Sequence, residues 1–128
     1  MSKHQKFFRC SICGNLVGLV HNGGGPLVCC GKPMDVLEAN TTDAAQEKHV
    51  PVISVEGNTV HVCVGSTPHP MGEEHSIEWI YLETSKGGQR KSLPKNQSPE
   101  ACFALTEDEE PRAAFAYCNL HGLWSAQA

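Results

Sequence analysis

The chain lacks any apolar run approaching the roughly eighteen residues that would cross a membrane. It also lacks a secretory leader pattern, because Met1-Ser2-Lys3-His4-Gln5-Lys6 leads straight into Phe7-Phe8-Arg9-Cys10 rather than into an apolar stretch with a small-residue cleavage site. The expectation is a soluble cytoplasmic protein with no membrane partner. Positive charge is scarce as well: 10 Lys and Arg stand against 14 Asp and Glu, for a formal charge of -4. Phosphate binding needs a concentrated basic face, so a nucleic-acid partner is not expected. There is no internal repeat and no low-complexity tract. A chain of 128 residues has room for one sizeable apolar core, so a second folded unit must be held by other means.

What the chain does have is 7 cysteines and 7 histidines. In a reducing cytoplasm such cysteines are expected as metal ligands or redox groups rather than disulfides. Residues 7–36 form a compact unit: Cys10-Ser11-Ile12-Cys13, an apolar run 16–20, the turn signal Asn22-Gly23-Gly24-Gly25-Pro26, and then Cys29-Cys30-Gly31. Thirty or so residues bury too little apolar surface to fold alone, so a metal must supply stability. Four thiolates close a tetrahedral site that suits zinc or iron alike. Adjacent ligands cannot share one relaxed knuckle, and that departure from a second C-x2-C favours a specialised iron site.

Beyond a polar linker around 38–47, with one helical turn expected near 43–46, the pattern turns β. Strands are expected over 49–55, 59–64, 76–82, 89–93 and 101–105, with turns at Gly57-Asn58 and Gly87-Gly88 and a last strand over 113–117. Six or seven short strands predict an antiparallel β-sandwich. In 59–64 the valines share one face, which sends His61 and Cys63 to the other; Cys102 likewise lies opposite Ala101, Phe103 and Leu105. Cys63 and Cys102 read as ordinary surface or half-buried thiols, and His4, His21 and His61 as bystanders.

A second constellation comprises Glu47-Lys48-His49-Val50-Pro51, His69-Pro70-Met71, His75, and Cys118-Asn119-Leu120-His121-Gly122. Neutral imidazoles suit borderline metals such as ferrous iron, and a thiolate donates density onto the ion. Together these motifs resemble the superoxide reductase domain of desulfoferrodoxins and neelaredoxins. Cys10, Cys13, Cys29 and Cys30 resemble the desulforedoxin-type domain that precedes it in the two-iron class, so the resemblance covers nearly the whole chain.

The resemblance implies a mainly β fold: a small rubredoxin/desulforedoxin-like metal knuckle over 1–37, followed by an immunoglobulin-like antiparallel β-sandwich over 38–128. It implies two irons, one held by Cys10, Cys13, Cys29 and Cys30, the other by His49, His69, His75 and His121 roughly in a plane, with Cys118 axial. Lys48 is implied near the open face, and Glu47 as sixth ligand of the resting ferric site. The implied activity is reduction of superoxide to hydrogen peroxide at the second iron, with a rubredoxin-type electron donor and a homodimeric assembly. Two other readings fit part of the sequence: a zinc knuckle fused to a protein-binding sandwich, which leaves the second constellation unused, and a pure electron carrier, which needs no open position. A dismutase is the nearest enzymatic rival, and a carboxylate closing the ferric site would hinder it.

Overall fold

The computed structural model describes residues 5–41, 46–65, 69 and 71–128, with residues 46 and 47 described by backbone alone. The chain divides into two compact units, Met1–Glu38 and Ala39–Ala128. In the first, β1 (Lys6–Arg9), β2 (Leu16–Leu19) and β5 (Asp35–Leu37) form an antiparallel sheet of order β2-β1-β5. β3 (Val28–Cys29) and β4 (Lys32–Pro33) make a separate two-stranded ladder. Phe7 and Cys10 are the buried apolar residues of this unit among those described. Its opposite face carries Phe8 in register with Val17 and Val36, and both valines are exposed.

The second unit starts with one helical turn, α1 (Gln46–His49). The helical turn expected at 43–46 lies outside the described residues except for Gln46. Seven strands follow: β6 (Pro51–Glu56), β7 (Thr59–Val64), β8 (Ile77–Thr84), β9 (Gly87–Ser92), β10 (Glu100–Ala104), β11 (Pro111–Cys118) and β12 (Gly122–Gln127). They form two antiparallel sheets, β10-β7-β6 and β12-β11-β8-β9. This is the division of an immunoglobulin-like sandwich, with the chain crossing between sheets after β7, β9 and β10.

The alternation in β7 is what builds the core. Val60, Val62 and Val64 are fully buried and pack with Ile77, Ile80, Leu82, Ala101, Phe103, Leu105, Ala114, Ala116 and Cys118. Cys118 therefore grows out of the hydrophobic core rather than from a loose tail. β11 is buried on both faces, since Tyr117 stacks on Trp79 at 5.7 Å and Phe115 lies beside Tyr81.

Two expectations need correction. Gly87 and Gly88 open β9 instead of forming its turn, which falls at Ser85-Lys86. The Tyr81 ring lies across Gly88, and a β-carbon there would run into the Tyr81 hydroxyl, so the glycine is a packing residue. The strand over 113–117 is also not the last: Gly122–Gln127 pairs along β11 from Cys118↔Gly122 to Ala113↔Gln127. Its Ser, Ala and Gln carry little strand propensity, and pairing overrides that weakness. Asn40 then clamps the outer edge of β12, donating from its backbone N–H to the Leu123 carbonyl and exchanging two side-chain hydrogen bonds with Ser125.

Candidate metal centres

In the small unit the sequence Cys10-Ser11-Ile12-Cys13 folds as a tight turn at the end of β1. The Cys10 carbonyl accepts from Gly14 N–H at 2.9 Å, and Cys10 N–H donates to the Asn15 carbonyl at 2.8 Å. Cys29 ends β3, and Cys30 turns the chain into β4 with φ 55°, a left-handed conformation costly for a side chain bearing a β-carbon. Two adjacent thiols can face one point only through such a bend, and Gly31 at φ 72° continues it.

The four sulfurs lie within 4.8 Å of one another. Cys13 Sγ is 3.5 Å from Cys29 Sγ, and Cys29 Sγ is 4.0 Å from Cys30 Sγ. A tetrahedral ion with bonds of about 2.3 Å sets its sulfurs about 3.8 Å apart, so the spacing fits. The protonation chemistry fits too. Backbone N–H groups of Cys13 and Ile12 draw the Cys10 thiol down to about 6, whereas contacts with the Cys13, Cys29 and Cys10 sulfurs push Cys30 up to about 12. One thiolate forms readily and the last does not, unless a cation lies among them.

The second cluster is assembled from four places in the larger unit. His49 ends α1 and is buried, His69 lies buried beyond β7 with its N–H donating to the Val64 carbonyl, and His75 sits in the bend before β8. Cys118 ends β11, and His121 closes the short turn that leads into β12.

The rings form a closed cycle. His49, His69, His75 and His121 stand edge-to-face with successive centroids 4.6, 4.6, 5.0 and 4.8 Å apart, and His49 faces His75 across the ring at 6.3 Å. His49 Nε2 is 3.1 Å from both His69 Nε2 and His121 Nδ1. Cys118 Sγ lies 3.2 Å from His75 Nε2, 3.4 Å from His69 Nε2 and 3.8 Å from His121 Nδ1. Donors about 2.1 Å from an ion and at right angles to one another stand about 3.0 Å apart, so four nitrogens and one sulfur converge as a single ion requires. Burial, and the neighbouring His121 and His49, lower His75 and keep its lone pair available; burial raises Cys118 against the pull of the Leu120 and His121 backbone N–H groups.

Asn119 and Trp124 hold this ring together, and neither role was read from the sequence. Asn119 Oδ1 accepts from Ser76 N–H at 3.0 Å, its Nδ2 donates to the Glu74 carbonyl at 2.8 Å, and its backbone N–H donates to the Ser76 carbonyl at 3.2 Å. The residue after Cys118 thus grips both neighbours of His75. Trp124 stacks on His49 at 4.9 Å and donates Nε1–H to the His121 carbonyl at 3.0 Å. The indole three residues after His121 was the available signal.

Of the other residues singled out, Lys48 is exposed beside His49, and the side chain of Glu47 lies outside the described set, as does His4. His21 is exposed, and His61 contacts Glu100 at 2.8 Å. A cavity of about 260 Å³ lined by Lys6, Phe8, Leu19, Pro26 and Met34 shares no residue with either donor cluster.

Fold and donor sets define a class: a two-unit β metalloprotein with a closed four-sulfur site and a separate site of four imidazoles and one thiol. Family models described as "Desulfoferrodoxin, N-terminal domain" and "Desulfoferrodoxin" match residues 2–37 and 41–127. The chain belongs to the desulfoferrodoxin family, and its cofactors are two iron ions, one for each donor set. It is 48% identical over 127 residues to a desulfoferrodoxin of Syntrophotalea carbinolica, covering 99% of both chains. The crystal structure of the superoxide reductase from Treponema pallidum matches with TM-score 0.83 and 42% identity, over 98% of this chain and 100% of that one. A one-iron superoxide reductase from Giardia intestinalis matches 64% of this chain and 97% of its own, with 35% identity and TM-score 0.55.

Proposed function

We propose that the chain is a superoxide reductase that converts superoxide to hydrogen peroxide, with His49, His69, His75, His121 and Cys118 holding the catalytic iron. Cys10, Cys13, Cys29 and Cys30 hold the other iron in the small desulforedoxin-like domain. The observation that carries the reading is the closed ring of imidazoles with a buried thiol against one side of it. Five donors would leave an iron bound there room for one small anion, whereas four sulfurs would leave none. When bound, ferrous iron supplies the single electron that superoxide accepts.

The chain's own residues do the rest. Cys118, rooted in the core, fixes the thiolate on one side and donates electron density. Lys48, exposed beside His49, attracts the anion and orders the water through which two protons reach the reduced oxygen species. Glu47 would be the carboxylate to close the remaining position once the iron is oxidised, which would hold off a second superoxide. The closed four-sulfur site is built to pass one electron, received from a rubredoxin-type carrier. The protein acts in the cytoplasm as a homodimer joined in part through the small domain, for which exposed Val17 and Val36, in register with half-buried Phe8, offer an apolar face.

Stoichiometry tests the activity. Superoxide pulsed onto the reduced protein is expected to give one hydrogen peroxide per superoxide, with one external electron consumed and no oxygen released. Oxygen evolution would make the protein a dismutase instead.

A further inference from the structure

On the outer face of the three-stranded sheet, β7 and β10 bring together four donors that neither iron site uses. Register pairs Cys63 with Glu100 and His61 with Cys102. Val64 N–H donates to the Pro99 carbonyl, and Leu105 N–H to the Asn58 carbonyl. The even-numbered residues of β7 therefore make the ladder hydrogen bonds, and 61 and 63 occupy the non-hydrogen-bonded pairs, whose side chains approach most closely. The four side chains stand at the corners of one cell on the face opposite Val60, Val62 and Val64.

Reach across the cell is already visible, since His61 Nε2 lies 2.8 Å from Glu100 Oε1 along one diagonal. Cys63 and Cys102 form the other diagonal. Glu100 also raises the Cys63 thiol, second to the effect of burial. Cys102 is exposed and Cys63 half-buried.

From this juxtaposition we infer that Cys63, Cys102, His61 and Glu100 form a third metal site, for a soft or borderline divalent cation of which zinc is the type. Distance selects a metal over a disulfide. Diagonal neighbours in an antiparallel pair have α-carbons about 7–8 Å apart, whereas a disulfide does not form beyond about 7 Å without backbone movement. Two sulfurs bonded to one tetrahedral ion stand about 3.8 Å apart, which allows their β-carbons to lie about 6–7 Å apart. Thiolate and imidazole select a zinc-like ion over magnesium or calcium. The surrounding charge is favourable: residues 39–128 hold 12 acidic against 6 basic residues. Lys91 Nζ reaches the Cys102 carbonyl at the sheet edge, on the backbone rather than among the four side chains. Binding exchanges the His61–Glu100 contact for two metal bonds and releases the thiol protons.

Cadmium is the probe, because its bonds to thiolate absorb in the ultraviolet. The iron-loaded full chain, with thiols reduced and air excluded, is expected to take up one cadmium with a two-thiolate band and no loss of iron. Cys63→Ser and Cys102→Ser should each abolish tight uptake, and His61→Ala should weaken it by an order of magnitude or more. All lie on the face of the sheet opposite the core valines, and unchanged iron spectra will show that the variants fold. No uptake, uptake that survives in the Cys63→Ser/Cys102→Ser double variant, or uptake only at the expense of iron would each overturn the assignment.

Discussion

The two units solve the same problem, fixing a metal, by opposite means. The small unit buries Phe7 and Cys10 and leaves Ile12, Val17, Val20, Val28 and Val36 exposed. The larger unit buries a continuous core of valine, isoleucine, leucine, phenylalanine and alanine, and Cys118 is part of it. Without its ion the first is a set of short strands around one phenylalanine. The second is a sandwich with a core large enough to fold by itself, and the donors project from its strand ends and loops. The expectation is that in one the metal makes the fold, whereas in the other the fold makes the metal site.

Breaking the small site should therefore have the largest effect. Structural zinc in zinc-finger peptides contributes an apparent free energy of about 10–16 kcal/mol, and a four-sulfur iron in so small a unit is expected to matter on a comparable scale. Cys13→Ser is expected to lose the four-sulfur iron and with it the fold of the small unit, seen as loss of amide protection over residues 6–37. Iron at the imidazole site should remain, with superoxide still consumed when reductant is supplied directly. Retained protection in the iron-free small unit would reverse the comparison.

The converse break is Phe103→Ala. Phe103 is fully buried at the centre of the sandwich, and deleting such a ring costs about 3–5 kcal/mol. Thermal unfolding of the larger unit should shift down accordingly, while the four-sulfur iron keeps its optical spectrum.

These contrasts were partly legible in the sequence. Residues 59–64 announce their buried face by strict alternation, and Cys10-x-x-Cys13 with Cys29-Cys30 announces a common ion, because both signals are local. The order of the imidazoles around the ring was not legible, since His49 and His121 meet across 72 residues and only the folded sandwich sets which ring stands beside which. β12 was missed because its propensity is weak and its partner supplies the pairing. The Gly87-Gly88 turn was misplaced because a glycine that admits an aromatic ring looks, in sequence, like one that admits a bend. Asn119 sits inside a motif read for its cysteine and histidine, and its hydrogen bonds join two loops that sequence proximity does not connect.

Asn119→Ala sharpens the comparison at a smaller scale, because it tests whether the larger unit's site is held by the fold or by its ion. The change leaves the Ser76 N–H without its side-chain acceptor, at a cost of about 1–3 kcal/mol. It also frees the bend carrying His75. Contacts of this supporting kind typically change metal affinity about 10–100-fold, and competition with a chelator should read that loss. Asn119→Asp keeps the acceptor toward Ser76 and loses the donor toward Glu74, so it should fall between. Wild-type affinity in Asn119→Ala would mean that the ion organises the loop, as in the small unit.

The smallest expected effect concerns charge, in which the units also differ. Residues 1–38 carry 4 basic and 2 acidic residues, and residues 39–128 carry 6 and 12. An anion approaching the second site meets a repelling surface, and Lys48 beside His49 is the local exception. A unit charge about 6 Å from the anion, at an effective dielectric of roughly 40, is worth about 1.4 kcal/mol, or about tenfold in rate. Lys48→Ala should therefore slow the reaction of the reduced protein with superoxide about tenfold at low ionic strength, with iron content and resting spectrum unchanged. Lys48 is exposed, and exposed charges are screened over about 10 Å at 0.1 M salt. The wild-type rate should accordingly fall as salt is added, while the variant, left with its acidic surroundings, should hold steady or speed up. Pulsed superoxide over a salt series measures both slopes, and identical slopes would remove Lys48 from the approach and leave it only the ordering of water.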